Sequence, residues 1–224
     1  MQHILGFVGI KGGVGKTTVT AAVSAEFHAR GRRTLVVDLD QIQRSALTWS
    51  NNAAAHKHDG PTVIAMGDNY RTAFDRVLGD HEVVIIDCPN GVDEIPTWAL
   101  GRCDLGIMPC APDGIEVAAM SKTLLQMREA RSRRPELDAA ILMVRVRSST
   151  VVGRNARDPF AGAGVPLLKT QLELRVDYSE AWTAGLGPTT YNPASRAATE
   201  VRTLVDELER RLGIRKRKGS LHAL

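Results

Sequence analysis

At 224 residues, 43% of them hydrophobic and 24% charged, the chain is about one and a half typical domains long and can bury a sizeable core, which excludes wholesale disorder. Cys88, Cys103 and Cys110 are its only cysteines; they are too few and too irregularly spaced for a disulfide framework or a paired-cysteine metal site, and read as reduced thiols in a cytosolic protein. The net charge is +4, but Arg210, Arg211, Arg215, Lys216, Arg217 and Lys218 fall within nine residues without an acid, leaving 23 cations against 25 acids elsewhere, a balance of −2.

A basic cluster on a nearly neutral body suggests one patch for a polyanion, either nucleic acid or an anionic membrane surface. No apolar run approaches the roughly 20 residues needed to cross a bilayer. The apolar segment after Met1-Gln2-His3 has no cationic leader and no plausible cleavage site, so secretion is not expected.

In chain order, Ile4 to Ile10 predicts a short strand, followed by a glycine-rich turn and a helix from Thr17 to Arg30 that Gly31 closes. A second strand runs from Thr34 to Asp40, making the start of a βαβ unit. Pro61 to Met66, Glu82 to Asp87, Asp104 to Met108, Leu137 to Val146 and Leu167 to Leu172 continue as strands, with helices over about 68–78 and 113–134. Near-continuous apolarity in Val83-Val84-Ile85-Ile86 and Ala140-Ile141-Leu142-Met143-Val144 indicates strands buried on both faces. The expected fold is therefore α/β, a doubly wound and mostly parallel sheet with helices on both faces. From Pro193 to Leu212 the residues Ala197, Val201, Leu204, Val205, Leu208 and Leu212 share one helical face. Residues 1–213 read as a single domain and 214–224 as a frayed basic tail.

The stretch Lys11-Gly12-Gly13-Val14-Gly15-Lys16-Thr17-Thr18 joins the first strand to the first helix. A triphosphate needs backbone N–H groups turned inward around it, which three glycines in four positions permit, and the helix start adds its positive end. Lys16 can then supply a point charge to the β and γ phosphates, and the Thr17 hydroxyl a ligand for Mg²⁺. The ordinary pattern G-x-x-x-x-G-K-[ST] requires glycine at position 10, where this chain has Ile10. A plain glycine turn would have no use for the Lys-Thr pair.

Asp38 and Asp40 end the second strand, where doubly wound sheets place their ligands, and strand alternation puts both on one side, near Mg²⁺ and an attacking water. The simpler alternative is that either acid caps a helix. Asp87 closes the apolar strand Val83 to Asp87 and can hold a Mg²⁺ water in the Walker B manner. Arg145 ends another strand, where an arginine is more often simply solvated.

The octapeptide resembles the deviant Walker A box of the ParA/MinD family of ATPases, and the likeness covers about residues 1–212. It implies a P-loop NTPase fold with ATP and Mg²⁺ as cofactors, bound through Lys11 to Thr18, with Thr17, Asp38 and Asp87 on the metal side. It further implies that Lys11 reaches the partner's phosphates across a nucleotide-sandwich homodimer, that Asp40 orients the hydrolytic water while Asp38 stays in the metal's outer shell, and that Arg145 stacks near the adenine. The segment Arg175 to Ala181 resembles one that lies near the nucleotide. The chain departs from relatives at Gln41, where they have proline after the acid, and at Asn90, where they commonly have a second proline after the Walker B acid.

A phosphate loop starting at residue 11 is similar to that of small ParA-type partition proteins without an N-terminal DNA-reading extension. The expected function is thus an ATPase that dimerises on ATP, binds nucleoid DNA non-specifically in the cytoplasm, and is cycled when a ParB-like or adaptor protein stimulates hydrolysis. The cargo would be a plasmid, a chromosomal locus or a protein assembly such as a carboxysome. Arg215, Lys216, Arg217 and Lys218 are the expected DNA contacts, salt-sensitive because no aromatic residue interleaves them. Membrane attachment in the MinD manner and stable insertion are disfavoured, since Leu212, Ile214 and Leu221 are too sparse for an apolar face. The rivals on the same scaffold are a small-molecule ligase and a metal-cluster ATPase using Cys88 and Cys110.

Overall fold

Short β-branched and apolar runs ending in glycine or an acid form the strands, and the longer amphipathic stretches between them form the helices. The computed structural model describes residues 1–91 and 94–215. Its strands are β1 (His3–Phe7), β2 (Thr34–Asp38), β3 (Thr62–Ala65), β4 (Val83–Asp87), β5 (Leu105–Cys110), β6 (Asp138–Val146) and β7 (Leu167–Glu173). The helices are α1 (Lys16–Ala29), α2 (Ser45–Ala55), α3 (Tyr70–Val77), α4 (Glu94–Leu100), α5 (Gly114–Arg133), α6 (Val151–Arg154), α7 (Asp177–Thr183), α8 (Pro188–Tyr191) and α9 (Arg196–Leu212).

The strands form one sheet in the order β3-β2-β4-β1-β5-β6-β7, and every pairing is parallel. Alternation along each strand sorts the core into two layers. Leu35, Val37, Val84, Ile86, Ile141 and Met143 pack on one face with Phe74 of α3, Leu100 of α4 and Met127 of α5. Val36, Val83, Ile85, Leu142 and Val144 pack on the other with Val19, Val23 and Phe27 of α1 and Val201, Leu204 and Leu208 of α9. This two-sided burial is why β4 and β5 are apolar at nearly every position and β2 through its middle. Arg30 ties the second layer together at its base, bonding Asp206 at 2.7 Å, Glu209 at 2.9 Å and the Arg202 carbonyl at 3.0 Å.

The expected doubly wound sheet is present, while several boundaries differ from expectation, β1 ending at Phe7 and β5 running on to Cys110, and the short helices α4 and α6 are unforeseen. The second strand stops at Asp38 instead of Asp40, because the chain turns there into α2, a helix of weak amphipathicity that periodicity does not reveal. Beyond β7, the compact helices α7 and α8 follow; α7 overlaps the segment Arg175 to Ala181 read as lying near a nucleotide, and α8 is unforeseen.

Candidate nucleotide site

β1, β2 and β4 are neighbours in the sheet, so their carboxyl ends deliver the phosphate loop, Asp38 and Asp87 to one place. Residues 8–15 leave β1 and enter α1 through Gly15, whose φ of 107° lies where a side chain is disfavoured. No acid occupies the first turn of α1 and no side chain caps it, leaving its N-terminal N–H groups directed at the loop. The loop therefore has the form expected of an anion cradle.

Lys16 is buried, 6% exposed, and its ammonium donates to Gly9 O at 3.2 Å, Lys11 O at 3.1 Å and Asn90 Oδ1 at 2.6 Å. Burial lowers its pKa, opposed chiefly by the Asp87 carboxylate. Lys11 differs in every respect. Its side chain is 40% exposed and forms an ion pair at 3.0 Å with Glu116 in the first turn of α5. One loop thus carries one cation turned inward and one at the rim.

Asp38 and Asp87 are register partners on β2 and β4. Asp87 accepts from the Thr17 hydroxyl at 2.7 Å and the Thr20 hydroxyl at 3.0 Å. Burial, with the Asp38 charge adding to it, pushes its pKa up to about 7 against those hydroxyls. Asp38 Oδ1 accepts from the Asp40 N–H at 3.0 Å, and its Oδ2 from those of Ala46 and Leu47 at 3.0 and 3.2 Å. Asp38 is also raised by burial. It serves as the remote cap of α2, with its oxygens engaged by backbone, and because β2 ends at Asp38 the expected alignment of Asp38 and Asp40 along one strand face does not occur. Asp40 lies beyond the strand, where its Oδ1 accepts from the N–H groups of Ile42 and Gln43 at 3.2 and 2.9 Å.

A Thr17 hydroxyl against an Asp87 carboxylate is an all-oxygen donor pair suited to a hard divalent cation such as Mg²⁺. Raising the pH from about 4 to about 7 ionises Asp87 in the unfolded chain before the folded one, so this carboxyl's contribution to the stability of the metal-free protein falls across that window and changes little above it. Asp87→Asn is expected to flatten this slope and raise the melting temperature at pH 8 in EDTA; an unchanged slope in thermal scans would contradict the assignment.

On the other side of the loop, Val14, Gly15, Thr18, Arg145, Leu174, Arg175 and Tyr178 line a largely apolar cleft of about 200 Å³. Arg145 has φ 54°, an uncommon conformation for a residue with a Cβ, and its guanidinium donates to Gly13 O at 3.0 Å. Arg145, Thr18 and the Arg175 segment thus line one cleft. Glu200 of α9 anchors the far wall, accepting from the Tyr178 hydroxyl at 3.0 Å and Arg175 Nε at 2.7 Å. The sequence reading missed Glu200 and Glu116, and nothing local marks either of them.

Arg215 is exposed, and Lys216, Arg217 and Lys218 lie outside the described residues. Arg211 is paired with Asp138 at 2.6 Å, while Arg154, Arg157 and Arg202 donate to carbonyls of their own chain. All three cysteines are buried, and burial pushes the Cys110 thiol up to about 12, which suits packing better than cluster ligation. No helix among the described residues is long and apolar enough to cross a membrane.

Residues 5–188 match the family described as the CobQ/CobB/MinD/ParA nucleotide binding domain. Maintenance of carboxysome distribution protein A of Halothiobacillus neapolitanus is 27% identical over 209 residues, 91% of this chain and 95% of that protein. The cell division ATPase MinD of Pyrococcus furiosus superposes with a TM-score of 0.76 at 20% identity, over 94% of this chain and 99% of that one. Cobyrinic acid a,c-diamide synthase of Mycobacterium smegmatis, with bound ADP and magnesium, gives 0.72 at 22% identity, over 96% and 98%. The fold is thus shared almost equally with a cell division ATPase and with a synthase.

Proposed function

Because the chain belongs to the CobQ/CobB/MinD/ParA nucleotide-binding family, we propose that it is a ParA/MinD-type positioning ATPase that binds MgATP, dimerises around two nucleotides, associates with DNA non-specifically, and is released when a partner protein stimulates hydrolysis. The observation that carries this reading is the contrast between the two loop lysines. Lys16 is buried in its own loop, whereas Lys11 stands at the rim on Glu116, where a second subunit's phosphates would be within the reach of a long side chain. A cation delivered in trans neutralises charge on the transferring phosphoryl group.

Lys16, the loop N–H groups and the α1 N-terminus would hold the phosphates, Thr17 and Asp87 the Mg²⁺, and the Arg145–Tyr178 cleft the base. Mg²⁺ there would supply neutralisation of the β and γ oxygens. Asp40, in a turn beside the loop, would orient the attacking water. The carboxysome-distribution relative favours a protein assembly as cargo over a plasmid.

Retention on non-specific DNA with ATP but not with ADP tests the reading, and equal retention with both would overturn it. Neutralising Arg215, Lys216, Arg217 and Lys218 should weaken that binding and reduce the slope of log affinity against log salt by roughly 0.9 for each phosphate no longer neutralised. An unaltered slope would move the DNA surface onto the body. The likeness to the diamide synthase supports a ligase as the second reading, which instead expects turnover driven by a small molecule and insensitive to DNA.

A further inference from the structure

An ammonium has three hydrogens, and the three acceptors around Lys16 use them all. Two are carbonyls of the phosphate loop itself, Gly9 O at 3.2 Å and Lys11 O at 3.1 Å. The third and shortest contact, 2.6 Å, is to the side chain of Asn90, which is exposed and sits on a different loop, just beyond β4. The same carboxamide lies against Gly12, where a Cβ would stand 3.1 Å from Asn90 Nδ2. Asn90 also lines, with Asp40, Tyr70, Arg71 and Glu94, the groove that opens beside the loop. It therefore bridges the phosphate-loop lysine and the groove that contains Asp40.

A phosphate oxygen received by Lys16 must take over one of these three donors. The Gly9 and Lys11 carbonyls are held by the loop backbone, whereas a side-chain amide leaves by rotation about χ1 and χ2. We propose that Asn90 is a positioning residue that competes with the nucleotide's phosphates for Lys16, so that phosphate binding releases its carboxamide from the loop into the groove beside Asp40. Asn90 thereby weakens nucleotide affinity and ties the residues just after β4 to occupation of the loop. The inference rests on the nucleotide-binding reading of the loop.

The test is the dissociation constant of MgADP, measured with a fluorescent analogue and by calorimetry on the full chain. Asn90→Ala removes the competing acceptor and is expected to tighten binding about tenfold, the weight of one hydrogen bond to a charged group. Asn90→Leu, close in size and without an acceptor, should do the same, so a misfolded alanine variant does not decide the matter. Asn90→Asp, which grips the ammonium more strongly, should weaken binding by a similar factor. A merely structural Asn90 would give the opposite sign, since deleting it would loosen the loop. Wild-type protein that binds MgADP, with Asn90→Ala and Asn90→Leu unchanged or weaker, overturns the competition alone; wild-type protein that binds neither MgADP nor MgATP overturns the nucleotide site beneath it.

Discussion

Lys11→Ala is expected to abolish ATP-dependent dimerisation and DNA retention while leaving MgADP affinity within a few-fold of wild type. The structure separates these effects, because Lys16 bonds the backbone carbonyl of Lys11, which alanine retains, while the side chain removed is engaged at the rim with Glu116. Partner-stimulated turnover should fall on the order of 10³-fold, the scale of a lost cation finger. Glu116→Gln, which keeps the side-chain shape and removes the charge that holds Lys11, should move dimerisation in the opposite direction, to lower ATP concentration. A Lys11→Ala protein that still dimerises with ATP would eliminate donation in trans, and a Glu116→Gln protein with unshifted dimerisation would make the ion pair incidental.

Asp40→Ala is expected to lower stimulated hydrolysis on the order of 10²-fold, as for the loss of a group that positions or deprotonates water, and to leave the ATP dimer long-lived on DNA. Alanine also deletes the acceptor for the Ile42 and Gln43 N–H groups, so loop disruption is a competing explanation. Asp40→Asn keeps that acceptor and removes only the charge. Equal slowing in both variants, measured as phosphate release, assigns the effect to the carboxylate; a normal rate in Asp40→Asn removes Asp40 from the hydrolytic step.

What the sequence makes legible follows from how local each interaction is. Val83 to Asp87 is apolar at every position before its terminal acid, so the strand and its carboxylate are both visible, and Lys16-Thr17 after clustered glycines leaves little freedom in where the helix begins. Helix α2 is not visible because its cap is Asp38, eight residues before Ala46 and across a turn, so Ser45 to Ala55 shows neither a capping box nor a clear apolar stripe. Taking Asp38 and Asp40 as strand neighbours fails for the same reason. The contacts of Lys16 with Asn90 and Lys11 with Glu116 join residues far apart in sequence, and only the parallel order β2-β4-β1-β5 brings those loops to one end of the sheet. Asn90 stands out in the sequence as a departure from the family pattern, and its partner is found only once the sheet is assembled.

If the site is complete only when two chains share it, nucleotide must change the mass of the particle in solution. Light scattering of the wild-type protein with Mg²⁺ and a non-hydrolysable ATP analogue should report a species of twice the 24.3 kDa chain mass, reverting to monomer when ADP replaces the analogue. A monomer across a wide concentration range, under conditions where calorimetry shows the analogue bound, would contradict a shared site.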